Sequence, residues 1–265
     1  ESKNLPQAGF QFDGLGLSAG MSLERWDRRR RILDTINDRS GFLNRAPTVS
    51  NYQTHFNRAS SLVTSPAARR ALNLAAEPTR VRQRYGMTLY GQHLLLARRL
   101  VEAGVKLVTV YWNLMTPRLP INNQPLWDTH KKNFMYLKDL LLPSADGPIA
   151  ALLDDLDERG LLDETLVVAM GEMGRTPKGN GKWGRNHWST LFPSVLAGAG
   201  IRGGTTYGVT DRDAAYPIEK PTSPEDLAAT IYHALGIDPE LHINDAQDRP
   251  TRIVENGTPI NDIFG

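Results

Sequence analysis

The sequence contains no cysteine among its 265 residues. Disulfide bonds and thiolate metal ligands are therefore excluded, so a metal ion would have to be held by His, Asp, Glu or Asn. The sequence also lacks a large excess of either charge, because it has 31 Lys and Arg and 29 Asp and Glu, which gives a net charge of +2. A balance this even argues against nucleic acid or a membrane surface as a partner.

Long apolar runs are absent as well. No segment approaches the roughly 18 to 20 apolar residues that a membrane helix needs, so membrane insertion is not expected. The opening stretch ESKNLPQAGFQFDG lacks the basic and apolar regions of a signal peptide and has no initiator methionine. We therefore expect the chain to be an N-terminally truncated part of a longer protein. Apolar residues still make up 40% of the sequence, as in globular proteins with a buried core.

Residues 1–85 are expected to form a mostly helical N-terminal segment that packs on the core. The stretch SLERWDRRRRILDTIND places apolar residues at helical spacing around the basic cluster Arg28–Arg31. We interpret this cluster as a solvated helix face rather than a phosphate site. PAARRALNLAAE predicts another short helix, which ends near Pro78.

Residues 86–265 are expected to form an α/β core that carries the functional site. The segment MTLYGQHLLLARRLVEAG predicts an amphipathic helix that ends at Gly104. Three apolar stretches, VKLVTVYW, TLVVAM and PSVLAG, predict strands buried on both faces. A helix broken at Pro143 and a second helix ending at Gly160 lie between the first two strands. Near the C-terminus, TSPEDLAATIYHALG predicts a helix capped by Ser223 and ended by Gly236.

This alternation of helices and buried strands predicts a mainly parallel sheet sandwiched by helices. Ligands of such sheets bind outside the carboxyl ends of the strands. The candidate positions are therefore those that follow Trp112, Met170 and Ala197.

Two glycine motifs match functional patterns only superficially. GLSAG fits the nucleophile elbow that would present Ser18, but no convincing strand precedes it. GAGIRG, which begins at Gly198, fits a dinucleotide fingerprint, but a turn-rich segment follows it where a helix is needed. We interpret both as ordinary loops.

Candidate ligands follow two of the expected strands. In LWDTH, Asp128 and His130 are two residues apart, so extended backbone points both side chains to one side. This pair also fits a simple helix cap. Glu172 follows TLVVAM and is flanked by glycines, which allow close approach of a ligand. His187 lies in GRNHWST; an isolated histidine beside a tryptophan also fits a structural role.

As a set, Asp128, His130, Glu172 and His187 provide the carboxylates and imidazoles that metal-assisted hydrolysis requires. Such donors suit a divalent metal, with zinc first and calcium or magnesium as alternatives. Arg175 and Arg185 are the candidate catalytic residues, because guanidinium groups neutralise charge on a phosphoryl or sulfuryl group. The other histidines, His55, His93, His233 and His242, lie in helices or in polar stretches without ligand-like neighbours and are interpreted as structural.

Several motifs together resemble the domain-of-unknown-function family 1501 (DUF1501), from about Leu23 to the C-terminus. They are YGMTLYGQHLLLARRLVEAGVKLVTV, WDTH, LLDETLVVAMGEMGRTP, GRNHWSTLFPSVLAGAGIRGG and SPEDLAATIYHALGID. The family is grouped with the alkaline phosphatase and sulfatase superfamily, and this resemblance implies an alkaline-phosphatase-like fold with metal ligands at strand ends. It also implies that Asp128 and His130 form a ligand pair, that Glu172 replaces an aspartate and that His187 is a late ligand. An exported or periplasmic location is implied in the same way.

The sequence departs from this family pattern at two points. Relatives commonly have GRDHW where this chain has Asn186, which removes a negative charge. Full-length members also carry an N-terminal segment with a SHLDTFD-like motif that is absent here, and the usual Ser or Thr nucleophile is expected in that segment. Thr176 and Ser189 are possible substitutes, and the sequence favours neither.

The leading hypothesis is a metal-dependent hydrolase, or the C-terminal portion of one, that acts on small-molecule or glycan esters of phosphate or sulfate. The alternative is a non-catalytic domain of the same fold that binds anionic glycans or protein partners, which Asn186 and the missing nucleophile favour. A serine hydrolase that uses Ser18 is a third, weaker hypothesis. The oligomeric state is not predicted.

Overall fold

The computed structural model describes residues 20–39, 47–112 and 127–265. These residues form two compact units, one up to Val110 and the other from Tyr111 onward. The expected division into residues 1–85 and 86–265 stays a prediction. Ser18 of the GLSAG motif lies outside the described residues.

The first unit is helical. Its α-helices are α1 (Leu23–Arg39), α2 (Pro47–Thr64), α3 (Pro66–Leu72), α4 (Thr79–Arg84) and α5 (Leu89–Glu102). The Thr88 hydroxyl caps α5 by accepting a hydrogen bond from the Gly91 amide at 3.2 Å. The predicted helix that stops before Gly104 is thus confirmed, with Tyr90, Leu94 and Ala97 buried along it.

An ionic cluster attaches α5 to the helices before it. Arg99 donates to the carbonyl of Ala71 at 2.8 Å and also to the carbonyl of Arg70, so it binds backbone acceptors at the end of α3. Glu77 pairs with Arg98 at 2.8 Å and with Arg99. Because Arg98 is almost completely buried, Glu77 supplies the counter-charge that makes this burial tolerable.

The predicted strand VKLVTVYW is not formed. Residues 105–112 have no strand partner among the described residues, and Leu107 and Tyr111 are 74% and 81% exposed. β-Branched composition favours extended backbone, but a buried strand also needs a neighbour that accepts and donates its backbone hydrogen bonds.

The helices of the second unit are α6 (Asn133–Tyr136), α7 (Leu142–Glu158) and α8 (Pro224–Ala234). The predicted break at Pro143 is absent, because a π-helical turn, Leu137–Leu141, joins α6 to α7. A proline has no N–H to donate, and the wider turn before Pro143 accommodates the missing bond. The predicted helix end at Gly160 is confirmed, since this glycine has the left-handed φ of +65°.

Helix α8 begins as the sequence predicts. The Ser223 hydroxyl accepts from the Asp226 amide at 3.0 Å, and the Asp226 carboxylate accepts from the Ser223 amide at 2.9 Å. The other carboxylate oxygen of Asp226 accepts from the Thr258 amide at 2.9 Å, which attaches the C-terminal segment to the helix. None of the described helices combines the length and apolar character that crossing a bilayer requires.

The strands pair in four two-stranded ladders, and every ladder among the described residues is antiparallel. β1 (Val167–Met170) pairs with β4 (Ser194–Ala197), and β2 (Gly174–Arg175) pairs with β3 (His187–Trp188). β5 (Val209–Thr210) pairs with β6 (Pro217–Glu219), and β7 (His242–Asn244) pairs with β8 (Pro250–Arg252).

The chain is therefore a mixed α/β protein, but the mainly parallel sheet predicted from its sequence is not present in the described part. TLVVAM and PSVLAG do contain strands, β1 and β4, but these strands run in opposite directions. A parallel pair needs a crossover connection, usually a helix. Here the connecting segment instead turns back on itself through the β2–β3 hairpin, so β4 returns antiparallel to β1.

Candidate metal centre

The first two candidate ligands lie in a short loop before α6. The backbone turns at Asp128, where the His130 amide donates to the Asp128 carbonyl at 3.1 Å. Thr129 between them is buried, and its hydroxyl accepts from the Asn133 side chain at 2.5 Å. With Thr129 directed inward, the side chains of Asp128 and His130 meet on the outer side, and Nε2 of His130 lies 3.0 Å from Oδ1 of Asp128.

Strand β3 brings His187 to the same place. Nε2 of His187 lies 2.8 Å from Oδ1 of Asp128 and 3.1 Å from Nε2 of His130. The three side chains thus direct three possible ligand atoms to one point, all within 4.8 Å of one another. The structure therefore assembles three of the four predicted ligands.

The donor set fits a small divalent cation. Tetrahedral coordination at bond lengths of about 2.0–2.1 Å places neighbouring ligand atoms about 3.3 Å apart. The distances among Asp128, His130 and His187 are 2.8 to 3.1 Å, so an expansion of a few tenths of an ångström suffices. Two imidazoles and one carboxylate form a set typical of zinc sites that keep a position open for water or substrate.

Arg175 holds Asp128 in position. It lies opposite His187 in the β2–β3 ladder, and its Nη2 donates to Oδ1 of Asp128 at 2.6 Å and to the carbonyl of Trp127 at 3.3 Å. Its Nη1 is buried and makes no hydrogen bond among the described residues. Arg175 therefore anchors the carboxylate and retains donor capacity beside it.

These contacts keep Asp128 ionised. Burial acts to raise the pKa of Asp128, but hydrogen bonds from His187 and Arg175, together with the electrostatic effects of Arg175 and His130, outweigh it. The net effect lowers the pKa below the ordinary value for aspartate. The carboxylate is consequently available as an anionic ligand at neutral pH.

The loop between β2 and β3 is clamped to the segment that carries His130. Asn180 donates to the His130 carbonyl at 3.1 Å, and the Arg185 amide donates to the Thr129 carbonyl at 3.3 Å. Gly184 packs so closely here that an added Cβ would overlap the carbonyl of His130. The glycine at this position is therefore required for His130 and His187 to approach each other.

Arg185 stabilises this loop from within. Its Nη1 donates to the carbonyls of Thr176 and Pro177, both at 2.6 Å, and its guanidinium lies 5.4 Å from the centre of the Phe134 ring. These contacts give Arg185 a structural part in the site. Its expected role in binding an anion stays a prediction.

Glu172 is placed differently from the other three predicted ligands. It is exposed in the turn between β1 and β2, and within the described part of the chain it does not belong to the group of converging donor atoms.

The two candidate substitutes for a nucleophile also differ in their surroundings. The Thr176 hydroxyl donates to the Lys178 carbonyl at 2.8 Å, whereas Ser189 is exposed after β3.

Two contributions were not anticipated from the sequence. Asn180 and Asn186 form an amide pair, with Nδ2 of Asn180 lying 3.1 Å from Oδ1 of Asn186, and that oxygen lies 3.4 Å from Nδ1 of His130. Trp188 donates from Nε1 to the Ala215 carbonyl at 2.7 Å, which supports β3 from the side opposite His187. The only sequence signal for Asn180 is its position between two glycines, which is typical of a turn.

Comparison with known protein families identifies a match over nearly the whole chain. The sequence model of DUF1501, described as "Protein of unknown function", matches residues 3–264. No curated protein and no solved structure matches the chain.

Proposed function

The chain belongs to the DUF1501 family, and on the basis of its candidate metal centre we propose that it is a metal-dependent hydrolase of phosphate or sulfate esters. The observation that carries the proposal is the convergence of Asp128, His130 and His187. His187 lies 57 residues beyond His130 in the sequence, yet its Nε2 atom lies 3.1 Å from Nε2 of His130.

Asp128, His130 and His187 would hold the ion. A divalent cation in such a site polarises an ester oxygen and lowers the pKa of a water molecule, which is the chemistry that ester hydrolysis needs. The protein supplies the rigidity: the Arg175 guanidinium fixes the carboxylate, and the β2–β3 ladder fixes His187. Three protein ligands leave room for a substrate oxygen.

The charge around the centre favours an anionic substrate. In residues 127–132 and 174–188, the only acidic residue is Asp128, whereas the basic residues are Lys131, Lys132, Arg175, Lys178, Lys182 and Arg185. Positive charge around an exposed site raises the local concentration of anions and increases their association rate. A phosphate or sulfate ester fits this environment better than a neutral or cationic substrate does.

The placement of the family in the alkaline phosphatase and sulfatase superfamily is part of the same proposal. It rests on the motif resemblance, and the His and Asp ligand set is compatible with it. Because one fold can serve many reactions, the site is the stronger argument for the type of chemistry.

A second candidate function is binding of anionic glycans without turnover. Asn186 favours it, because its neutral amide lies 3.4 Å from Nδ1 of His130 and adds no negative charge to the site. A site with one carboxylate carries less negative charge to hold a metal firmly and leaves more net positive charge to hold a bound anion.

The proposal is tested by metal analysis and turnover assays on the purified full-length protein. The wild-type protein should retain stoichiometric zinc after dialysis and hydrolyse aryl phosphate or aryl sulfate esters, whereas His187→Ala should lose both properties. His242→Ala is the matched control, because His242 is exposed in β7 and lies outside the converging donor group. Metal binding without any turnover would favour the glycan-binding alternative, and absence of zinc, calcium and magnesium from the wild-type protein would rule out the metal site.

A further inference from the structure

We propose that Trp183 is a substrate-binding residue of the candidate metal centre and that its indole stacks on a sugar ring. The ester substrate is then a sulfated or phosphorylated glycan. This inference rests on the proposed function for the reaction, and it adds the substrate class and the residue that recognises it. Sugar binding at Trp183 can be measured whether or not the bound molecule is hydrolysed.

Trp183 is exposed and has an unfavourable backbone conformation. Its side chain is 80% exposed, and its φ is +58°, in the left-handed region that residues with a bulky side chain disfavour. Among the described non-glycine residues with a left-handed φ, Trp183 is the only aromatic one. A single exposed apolar residue is ordinary, but a glycine here would remove both the strain and the exposed ring. The local fold therefore does not account for a tryptophan at this position.

Hydrogen bonds on both sides hold the backbone of Trp183 in place. Its amide donates to the Asn180 carbonyl at 3.2 Å, and its carbonyl accepts from the Asn133 amide at 2.8 Å. Just before it, the Lys182 carbonyl accepts from the Lys132 amide at 3.2 Å. Strained residues that the surrounding structure fixes in this way cluster at ligand-binding sites. The indole thus extends from a fixed support, and a rigid aromatic side chain loses little conformational entropy when a ligand binds.

These contacts place Trp183 at the rim of the candidate metal centre. Gly184 follows it directly and packs against the carbonyl of His130. The amides that bind the carbonyls of Lys182 and Trp183 belong to Lys132 and Asn133, which come two and three residues after His130. The loop that carries the exposed indole is therefore attached to the segment that carries a proposed metal ligand.

The charges beside Trp183 indicate an anionic ligand. Lys131, Lys132 and Lys182 are exposed, and within the described part of the chain none of them forms an ion pair. Ammonium groups in this setting attract sulfate or phosphate. The indole adds a large apolar face with negative electrostatic potential. A ligand that uses both features carries an anionic group and an apolar ring face on one molecule.

A sugar ester has both features. One face of a pyranose ring carries C–H groups that fit against the negative face of an indole, while its hydroxyl groups stay in water. This matches an indole that is mostly exposed, because only one face of the sugar needs to be covered. A free sulfate or phosphate would use the lysines alone, and an aryl ring would favour burial on both of its faces.

The test compares four probes on the full-length protein: galactose 6-sulfate, glucose 6-phosphate, 4-nitrophenyl sulfate and inorganic sulfate. Affinity is measured by titration calorimetry as Kd, or as KM for an ester that is hydrolysed. In the wild-type protein both sugar esters should bind more tightly than inorganic sulfate. The indole N–H signal of Trp183 in the proton–nitrogen spectrum, assigned by its absence from Trp183→Phe, should shift when a sugar ester binds.

The variants separate ligand binding from structural support. Trp183→Ala should weaken binding of the sugar esters about tenfold and leave that of inorganic sulfate unchanged. Trp183→Phe retains an aromatic face and should recover most of the affinity. Trp183→Gly should bind sugar esters as weakly as Trp183→Ala, while its urea midpoint of unfolding should not fall, because glycine tolerates the left-handed φ. Tyr52→Ala removes an aromatic ring that is 71% exposed on α2 and should behave as wild type.

The outcomes distinguish this inference from the proposed function. Equal affinity of wild type and Trp183→Ala for the sugar esters overturns the inference, even where metal-dependent hydrolysis is found. Equal losses for sugar esters and inorganic sulfate overturn it as well, as does a loss confined to 4-nitrophenyl sulfate. If sugar esters bind through Trp183 but the wild-type protein holds no metal and hydrolyses no ester, the inference is supported and the hydrolase function fails.

Discussion

Nε2 of His130 and Nε2 of His187 lie 3.1 Å apart, although 57 residues separate the two histidines in the sequence. Two neutral imidazole nitrogens cannot face each other at this distance with both lone pairs exposed, so a proton or a cation must lie between them. Oδ1 of Asp128 completes the triangle at 3.0 Å and 2.8 Å. This negative charge favours a positively charged species at the centre.

The first prediction concerns Gly184 in the clamped loop. A Cβ at this position would overlap the carbonyl of His130, so Gly184→Ala should push the loop away and separate the two imidazoles. We expect zinc affinity, measured by titration calorimetry, to fall about 10- to 100-fold, as for loss of a residue that orients a ligand. Gly181→Ala is the control in the same loop, because a Cβ there meets no atom within 4 Å. Equal affinities for the two variants would contradict the clamp.

A second prediction concerns the buried ionic cluster of the first unit. Burial acts to raise the pKa of Glu77, but hydrogen bonds and charges of Arg98 and Arg99 outweigh it and lower the pKa. Glu77→Ala leaves these guanidinium groups without their buried partner and should reduce the free energy of unfolding by about 3 to 5 kcal/mol.

Glu102 provides the control for this cluster. It also pairs with Arg98, at 2.6 Å, but its side chain is 44% exposed. Urea denaturation of Glu102→Ala should show a loss of at most about 1 kcal/mol. Similar losses in the Glu77 and Glu102 variants would show that burial does not determine the strength of these pairs.

The third prediction concerns the pH dependence contributed by Asp226 in the capping box of α8. Burial acts to raise its pKa, but hydrogen bonds from the backbone of Ser223 and Thr258 and from the Ser223 side chain lower it more. Because the folded pKa lies below the unfolded value of about 3.9, the stabilisation is present above that pH. It is lost as the pH falls through the folded pKa.

Asp226→Ala should therefore destabilise the protein by about 1 to 2 kcal/mol at neutral pH, and by less under acid conditions. The comparison requires urea denaturation curves of wild type and variant at several pH values between about 3 and 7. Glu225→Ala, an exposed change in the same turn, controls for general effects at the start of the helix. A destabilisation by Asp226→Ala that stays constant over this pH range would be inconsistent with the lowered pKa.

Local interactions account for the parts of the fold that the sequence predicts well. Ser223, Pro224 and Asp226 specify the start of α8 within one turn, and Gly160 specifies the end of α7, because each acts on backbone only a few residues away. Whether two strands pair in parallel or antiparallel cannot be predicted from such local interactions, because it depends on how the chain between the strands is folded. The direction of β4 relative to β1 follows from the β2–β3 hairpin, which contains only two residues in each strand and gives almost no periodic signal.

The same distinction applies to the candidate site. Asp128 and His130 were recognisable because they are close in sequence, and His187 because of its residue type and its resemblance to a motif. Asn180 was not recognised, because its role depends on the Lys182 and Gly184 amides that orient it in space. Glu172 has the right chemistry, but in the described part of the chain it is not among the donors that converge.

The most direct test of the central claim is zinc-edge X-ray absorption spectroscopy of the zinc-loaded protein. We expect a first shell of nitrogen and oxygen at about 2.0–2.2 Å with outer-shell scattering from two imidazole rings. His130→Ala and His187→Ala should each remove one imidazole, whereas His242→Ala should leave the spectrum unchanged. A zinc spectrum without imidazole scattering, or one that is the same in wild type and in a His130→Ala/His187→Ala double variant, would contradict the metal centre at Asp128, His130 and His187.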